Sequence, residues 1–107
     1  MKEIFIFEKI GKKDFAENKD IGQEIRLNEI MPTLLKNEEV ILNFSNVDRA
    51  SQSFIHSLIS DPIRKLGVEK ALKLIAFKAC NDNLKGIIGI VLDYMQDAIN
   101  RGKETKE

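Results

Sequence analysis

The sequence predicts a single α/β domain: a central, mostly parallel or mixed sheet of about four strands with about three helices packed on it. Three observations lead there. Segments rich in β-branched and aromatic residues alternate with segments of helical apolar spacing, in the order strand, helix, strand, helix, strand, helix. Val40 to Phe44 is an almost continuous apolar run, the pattern of a strand covered on both faces. The 107 residues supply one hydrophobic core and have no room for a second. Strands joined through helices need crossover connections, and these place the strands parallel.

Taken in order, Glu3 to Glu8 (EIFIFE) reads as a first strand, whose pairing direction the sequence leaves open. Lys9 to Asp20 is polar and charged around Gly11, a turn or weakly paired segment in which a second short strand has room to form. Asp20 is placed to cap a helix running to about Lys36, with Ile25, Leu27, Ile30, Met31, Leu34 and Leu35 turned to the core. Pro32 lies inside that pattern; it removes a backbone donor and predicts a kink or a restart. After the strand Val40 to Phe44, Ser45 to Ala50 reads as a loop. Ser51-Gln52-Ser53 offers capping hydroxyls to a helix carrying Phe54, Ile55, Leu58 and Ile59.

Ser60-Asp61-Pro62 is expected to interrupt that helix, Pro62 opening a new turn that Gly67 closes. Leu72 to Cys80 alternates partly and reads as a strand beside the central one. Asn81-Asp82-Asn83 caps the last helix, whose stripe runs through Leu84, Ile87, Ile88, Val91, Met95, Ala98 and Ile99. Ile90 and Leu92 widen the stripe, so the helix is either deeply buried or meets a partner. Gly86 and Gly89 suit close helix packing. Gly102 is expected to end the helix, so the domain spans 1–102 and 103–107 is a frayed charged tail.

Composition narrows the function. Seventeen Lys and Arg balance seventeen Asp and Glu, which argues against a nucleic-acid binder working through a basic face, though not against a small local patch. One cysteine, Cys80, cannot form an internal disulfide, and no Cys/His cluster is spaced to hold a metal. Apolar runs stop well short of a membrane span, and Met1 to Phe5 lacks a long signal-peptide core, so a cytoplasmic location is the expectation. No cofactor motif stands out: Lys85-Gly86-Ile87-Ile88-Gly89 has no Gly-Lys-Ser/Thr after a strand and is not a phosphate loop.

The stretch Val40 to Val47 (VILNFSNV), followed by Ser51-Gln52-Ser53-Phe54, resembles the STAS domain of anti-sigma-factor antagonists. There a buried strand ends in Leu-Asn/Asp-Leu/Phe, a small-residue turn and Val follow, and a Ser-containing loop opens a helix. A closer likeness is to the STAS-like family of unknown function, whose helix opens with Ser-Ser-Phe or Gln-Ser-Phe, matched here by Gln52-Ser53-Phe54. Its preceding helix carries an Arg and a later Leu-x-Pro or similar, matched by Arg26 and by Met31-Pro32. That strand usually ends in Asp, where this chain has Asn43. The resemblance implies a STAS-like fold and a non-enzymatic regulatory role in bacterial signalling. It also implies a protein partner, such as a histidine-kinase-like ATPase or another regulator.

In the antagonists the junction is Asp-Ser-Ser-Gly and its first Ser is phosphorylated by the partner kinase. Aligned without gaps on Leu42-Asn43 and Val47, that Asp falls on Ser51, the acceptor on Gln52, the second Ser on Ser53 and the Gly on Phe54. The acceptor position holds no hydroxyl, so Ser51 or Ser53 takes the role only in a reshaped loop. A phosphate there would meet the free N–H groups and positive dipole end of the helix. The ordinary role of the two serines is that one caps the helix and the other packs.

The candidate interaction residues are therefore Asp48, Arg49, Ser51, Gln52, Ser53 and His56, with Arg26 beside them. Asp48 and Arg49 read as a solvated pair next to the helix opening. Ser53 and His56 are three apart on one helix, but without an elbow motif, an orienting acid or an oxyanion hole they make a thin basis for catalysis. Arg26 reads as a surface arginine or one paired with Glu24, Glu29 or chain carbonyls. Cys80 reads as a small core residue. The rival to an interaction module is a small self-assembling subunit that forms a homo-oligomer through the last helix or the first strand.

Overall fold

The computed structural model describes the backbone of residues 1–106 and the side chains through Asn100. A three-stranded sheet forms its centre: β1 (Lys2–Phe5), β3 (Val40–Asn43) and β5 (Ile75–Lys78), in the order β1-β3-β5 and parallel throughout. The registers pair Ile4 with Leu42 and Leu42 with Phe77. The second sheet joins only two residues from each side, β2 (Phe15–Ala16) and β4 (Arg49–Ala50), also parallel. Helices α1 (Ile6–Lys9), α2 (Lys19–Ile25), α3 (Met31–Leu35), α4 (Gln52–Leu66), α5 (Val68–Leu74) and α6 (Asp82–Lys106) complete the chain, with a π-helical turn over Arg26–Ile30. The α/β class and the parallel sheet are as the sequence predicts. The strands are shorter and the helices more broken than expected.

The central strand carries the core. Val40, Leu42 and Phe44 are fully buried, and they join Ile4, Ile6, Ile30, Phe54, Ile55, Leu58, Ile63 and Leu84 in one apolar cluster. Burying each such side chain contributes about 1.5–3 kcal/mol, so this cluster dominates local propensities wherever the two conflict.

Several expectations are corrected by that packing. β1 ends at Phe5, and Ile6 to Lys9 turn into a short helix that keeps Ile6 inside. The cap of α2 is Asn18, not Asp20: its Oδ1 accepts from the N–H groups of Asp20 (2.9 Å) and Ile21 (3.4 Å). Within the next helix the π-turn accommodates Pro32. Met31 N–H bonds to the Arg26 carbonyl five residues back, and Thr33 Oγ1 donates to the Glu29 carbonyl at 2.8 Å. The extra residue in that turn shifts the buried stripe to Ile25, Ile30 and Leu34, and leaves Leu27 and Leu35 exposed.

Pro62 does not interrupt α4, which runs unbroken to Leu66. An interior proline costs about 3 kcal/mol, and the burial of Leu58, Ile59 and Ile63 around it outweighs that. Gly67, at φ 84°, separates α4 from α5 and lets the chain turn sharply. Leu72 to Leu74 belong to α5, so the last strand starts at Ile75, with Ile75 and Phe77 turned inward. Gly86 and Gly89 face open space and make no close helix contact. Helix α6 continues past Gly102 to Lys106, and the expected frayed tail at 103–107 reaches outside the described residues.

Candidate functional site

The candidate residues gather where the chain leaves the central strand and enters α4. Two devices fix this junction. The β2–β4 pair sets Phe15 opposite Arg49 and Ala16 opposite Ala50, and the N–H groups of Asp48 and Arg49 both donate to the Asp14 carbonyl (2.8 and 3.1 Å). Ser51 N–H donates to the Ala16 carbonyl at 2.9 Å. From the other side, Asn81 Nδ2 donates to the Asp48 carbonyl at 2.9 Å while its Oδ1 caps α6 by accepting from Leu84 N–H at 2.9 Å. The loop is thus bonded to two neighbouring segments, and a surface built on it is largely preorganised.

Ser51 is the cap of α4. Its Oγ accepts from Phe54 N–H at 3.1 Å and lies 3.1 Å from Ser53 Oγ. Gln52 and Ser53 are exposed on the first turn. Asp48 and Arg49 do not form the expected solvated pair: the Arg49 guanidinium stacks over the Phe15 ring at 4.5 Å from its centroid. Ser53 and His56 make no hydrogen bond to each other. The His56 ring meets Tyr94 of α6 edge-on, with centroids 6.4 Å apart. Burial, and then the Arg64 charge, hold the His56 imidazole below its ordinary pKa, with Asp61 acting the other way.

Arg26 is only 13% exposed, so it is not a surface side chain. Its NH1 donates to the Ser57 carbonyl at 3.3 Å and its Nε lies 3.3 Å from Asp61 Oδ2. That second contact is ionic without hydrogen-bond geometry, which leaves Nε–H buried and without a hydrogen-bond acceptor. Glu29, one expected partner, is taken instead by Lys9 (2.7 Å) and Lys2 (3.5 Å). Arg26 is reached from α4 because α2 and α4 pack closely at Gly22, where an added Cβ would collide with Ser57.

Two open grooves flank the start of α4, and Ser53 and His56 line both. One, of about 300 Å³, lies between α4 and α6 and is walled by Gln52, Ile90, Val91 and Tyr94. Ile90 and Tyr94 are at least half exposed there, whereas Leu92 is partly buried against the core. The other, of about 430 Å³, lies between α2 and α4 and gathers Lys19, Gln23, Arg26, Asp61 and Arg64. The sequence pattern missed Lys19, Asp61, Arg64 and Tyr94. They come from three helices, and only the Asp61–Arg64 spacing of three within α4, which forms an ion pair at 3.3 Å, is visible in the sequence.

Cys80 is half-buried rather than deep in the core, and burial raises its thiol above the ordinary value. Among the described residues, no three His, Cys, Asp or Glu side chains are grouped to hold a metal ion. Among them, too, no helix is long and apolar enough to cross a membrane.

In comparisons with known proteins, no curated protein and no solved structure matches the chain. The family model described as STAS-like domain of unknown function (DUF4325) matches residues 21–85, from α2 across the central strand, the loop and α4 into the start of α6. That span covers more than half the chain and contains the central strand, the loop and the whole of α4, so this protein belongs to the STAS-like family of unknown function.

Proposed function

We propose that this protein is a non-enzymatic regulatory module of the cytoplasm that presents the start of α4 to a protein partner. One observation carries the proposal: the exposed Gln52 and Ser53 stand on the first turn of α4, directly after a loop fixed by the β2–β4 pair and by the Asn81 bond to Asp48. A partner meeting this surface orders little backbone, so most of the interaction energy remains as affinity. Arg49, held flat on Phe15, and His56, held against Tyr94, extend the surface to either side. The likeness to anti-sigma-factor antagonists favours a histidine-kinase-like ATPase as the partner class. Ser53 Oγ is engaged with Ser51 Oγ rather than with a base, which supports a contact role over a nucleophilic one.

The test is capture of partners from the native host, followed by affinity measurement on the captured ATPase with Ser53→Asp and Arg49→Ala. Both variants should stay folded, and each should weaken binding about tenfold, the scale of one lost interface contact. Unchanged affinity for both would move the binding face elsewhere.

A second reading, self-assembly, is favoured by Ile90 and Tyr94 on α6 and by Phe5 on β1, all large and exposed. Light scattering separates the two. A stable dimer that Ile90→Glu converts to a folded monomer would establish the second reading.

A further inference from the structure

We propose that the groove between α2 and α4 is an anion site of the phosphoryl class, with Lys19, Arg26 and Arg64 as its cationic wall. The chain as a whole is neutral, so the charge here is a local surplus. Lys19 opens α2, Arg26 begins the π-turn and Arg64 lies near the end of α4, yet all three line one groove. Its single carboxylate, Asp61, already faces both Arg26 and Arg64 at 3.3 Å. Lys19 forms no ion pair among the described residues, so the lining of the groove carries three cations against one carboxylate.

The arrangement is also preorganised. The Arg26 guanidinium is held in place by the Ser57 carbonyl and by Asp61, both at 3.3 Å. Gln23 and Ser53 add neutral donors at the rim. A dianionic phosphoryl group has enough oxygens to accept from several forked donors at once, where a single carboxylate has two. About 430 Å³ holds that group with part of an organic body attached. The shared chemistry is a phosphomonoester, whether carried by a small molecule or by a phosphorylated side chain. This goes beyond the interaction reading, and its test uses no protein partner.

The test is titration of the full chain with inorganic phosphate, followed by NMR and calorimetry, against chloride at matched ionic strength. Saturable shifts should centre on the start of α2 and on His56 to Arg64. The double variant Lys19→Ala/Arg64→Ala should bind at least tenfold more weakly while its unliganded melting temperature holds. Lys70→Ala/Lys73→Ala, which removes the same charge from a different groove, should bind as the parent does. Glycerol phosphate and a phosphoserine peptide then distinguish the sources: equal affinities assign recognition to the phosphoryl group alone, and a tighter peptide assigns it to a protein ligand. The proposal is overturned if phosphate acts no differently from chloride, if the Lys19/Arg64 variant binds like the parent, or if both double variants lose affinity equally.

Discussion

Asn43 donates Nδ2 to Glu3 Oε2 at 2.9 Å across the β1–β3 pair, and its Oδ1 accepts from Ser45 N–H at 2.9 Å. Because Phe5 stands opposite Asn43 in the register, Glu3 is its diagonal neighbour, within reach of a polar side chain. Both ends of a buried amide are therefore satisfied, and the loop toward α4 starts from a fixed point. The bond from Asn43 is also the largest influence holding the Glu3 carboxyl below its ordinary pKa, with Lys78 adding to it. An Asp at this strand end would have no donor for Glu3 and would set two carboxylates face to face.

Asn43→Asp should therefore lower the melting temperature by roughly 5 °C at neutral pH, the scale of one lost buried interaction in a small domain. In the parent, Glu3 has a depressed folded pKa, so its contribution is present above the ordinary carboxyl value and fades as pH falls through the depressed one. In the variant the sign reverses, because the carboxylate pair repels when both are charged. The gap between variant and parent should close as pH falls through the carboxyl range. Melting curves at neutral and acidic pH check this; a gap that widens in acid refutes it.

The caps of α4 are separable. Ser51 Oγ accepts from Phe54 N–H, while Ser53 Oγ contacts only Ser51 Oγ among the described hydrogen bonds. Ser51→Ala should cost about 1 kcal/mol in urea unfolding, and Ser53→Ala at most a few tenths. Equal losses would mean that Ser53 shares the capping role.

Gly22 faces Ser57 where α2 crosses α4. A Cβ there would overlap Ser57 Oγ and lie 3.1 Å from Ser57 Cβ and 3.3 Å from the Phe54 carbonyl. Alanine would raise helix propensity by about 1 kcal/mol, but overpacking of a closely packed core costs about 1–3 kcal/mol. Gly22→Ala should therefore be destabilising on balance. Pairing it with Ser57→Ala removes the nearest colliding atom, so the double variant should be more stable than the sum of the two single effects. Additive losses would show that the helices separate rather than collide.

The parallel core was legible because Val40 to Phe44 and Phe54 to Ile59 are dense apolar runs whose burial overrides most alternatives. Capping was legible only in part, because neighbouring polar side chains compete for it: Ser51-Gln52-Ser53 and Asn81-Asp82-Asn83 marked two helix starts without singling out Ser51 or Asn81, and Asn18 rather than Asp20 caps α2. Three features were not legible. The π-turn moves the buried stripe by one residue, and a regular helical period places Leu27 inside when it is outside. The two-residue strand β4 is too short to show alternation and exists because Phe15 and Ala16 pair with it. The cationic groove joins Lys19, Arg26 and Arg64 across long stretches of chain, so no spacing along the sequence announces it.

His56 reports on the space between the two grooves. Tyr94 faces it from α6, while Arg26 and Lys19 come from the α2 side, and Asp61 and Arg64 from its own helix. Burial and then Arg64 hold its folded pKa below the ordinary imidazole value, Arg26 acts in the same direction, and Asp61 opposes them. For a base with a depressed folded pKa, the unfolded chain takes up the proton first as pH falls. The contribution of His56 to stability is therefore complete above the ordinary imidazole value. It declines as pH drops through the interval down to the depressed value, below which it is gone. Arg64→Ala removes the larger of the two opposing cations, so the His56 midpoint should rise toward the ordinary value, and Asp61→Asn should push it lower. His56→Gln should remove the stability slope in that interval while changing little above it. NMR titration of the ring protons, with melting temperatures across the same pH range, measures both effects. Arg64→Ala and Asp61→Asn moving the midpoint in the same direction would refute the charge assignment.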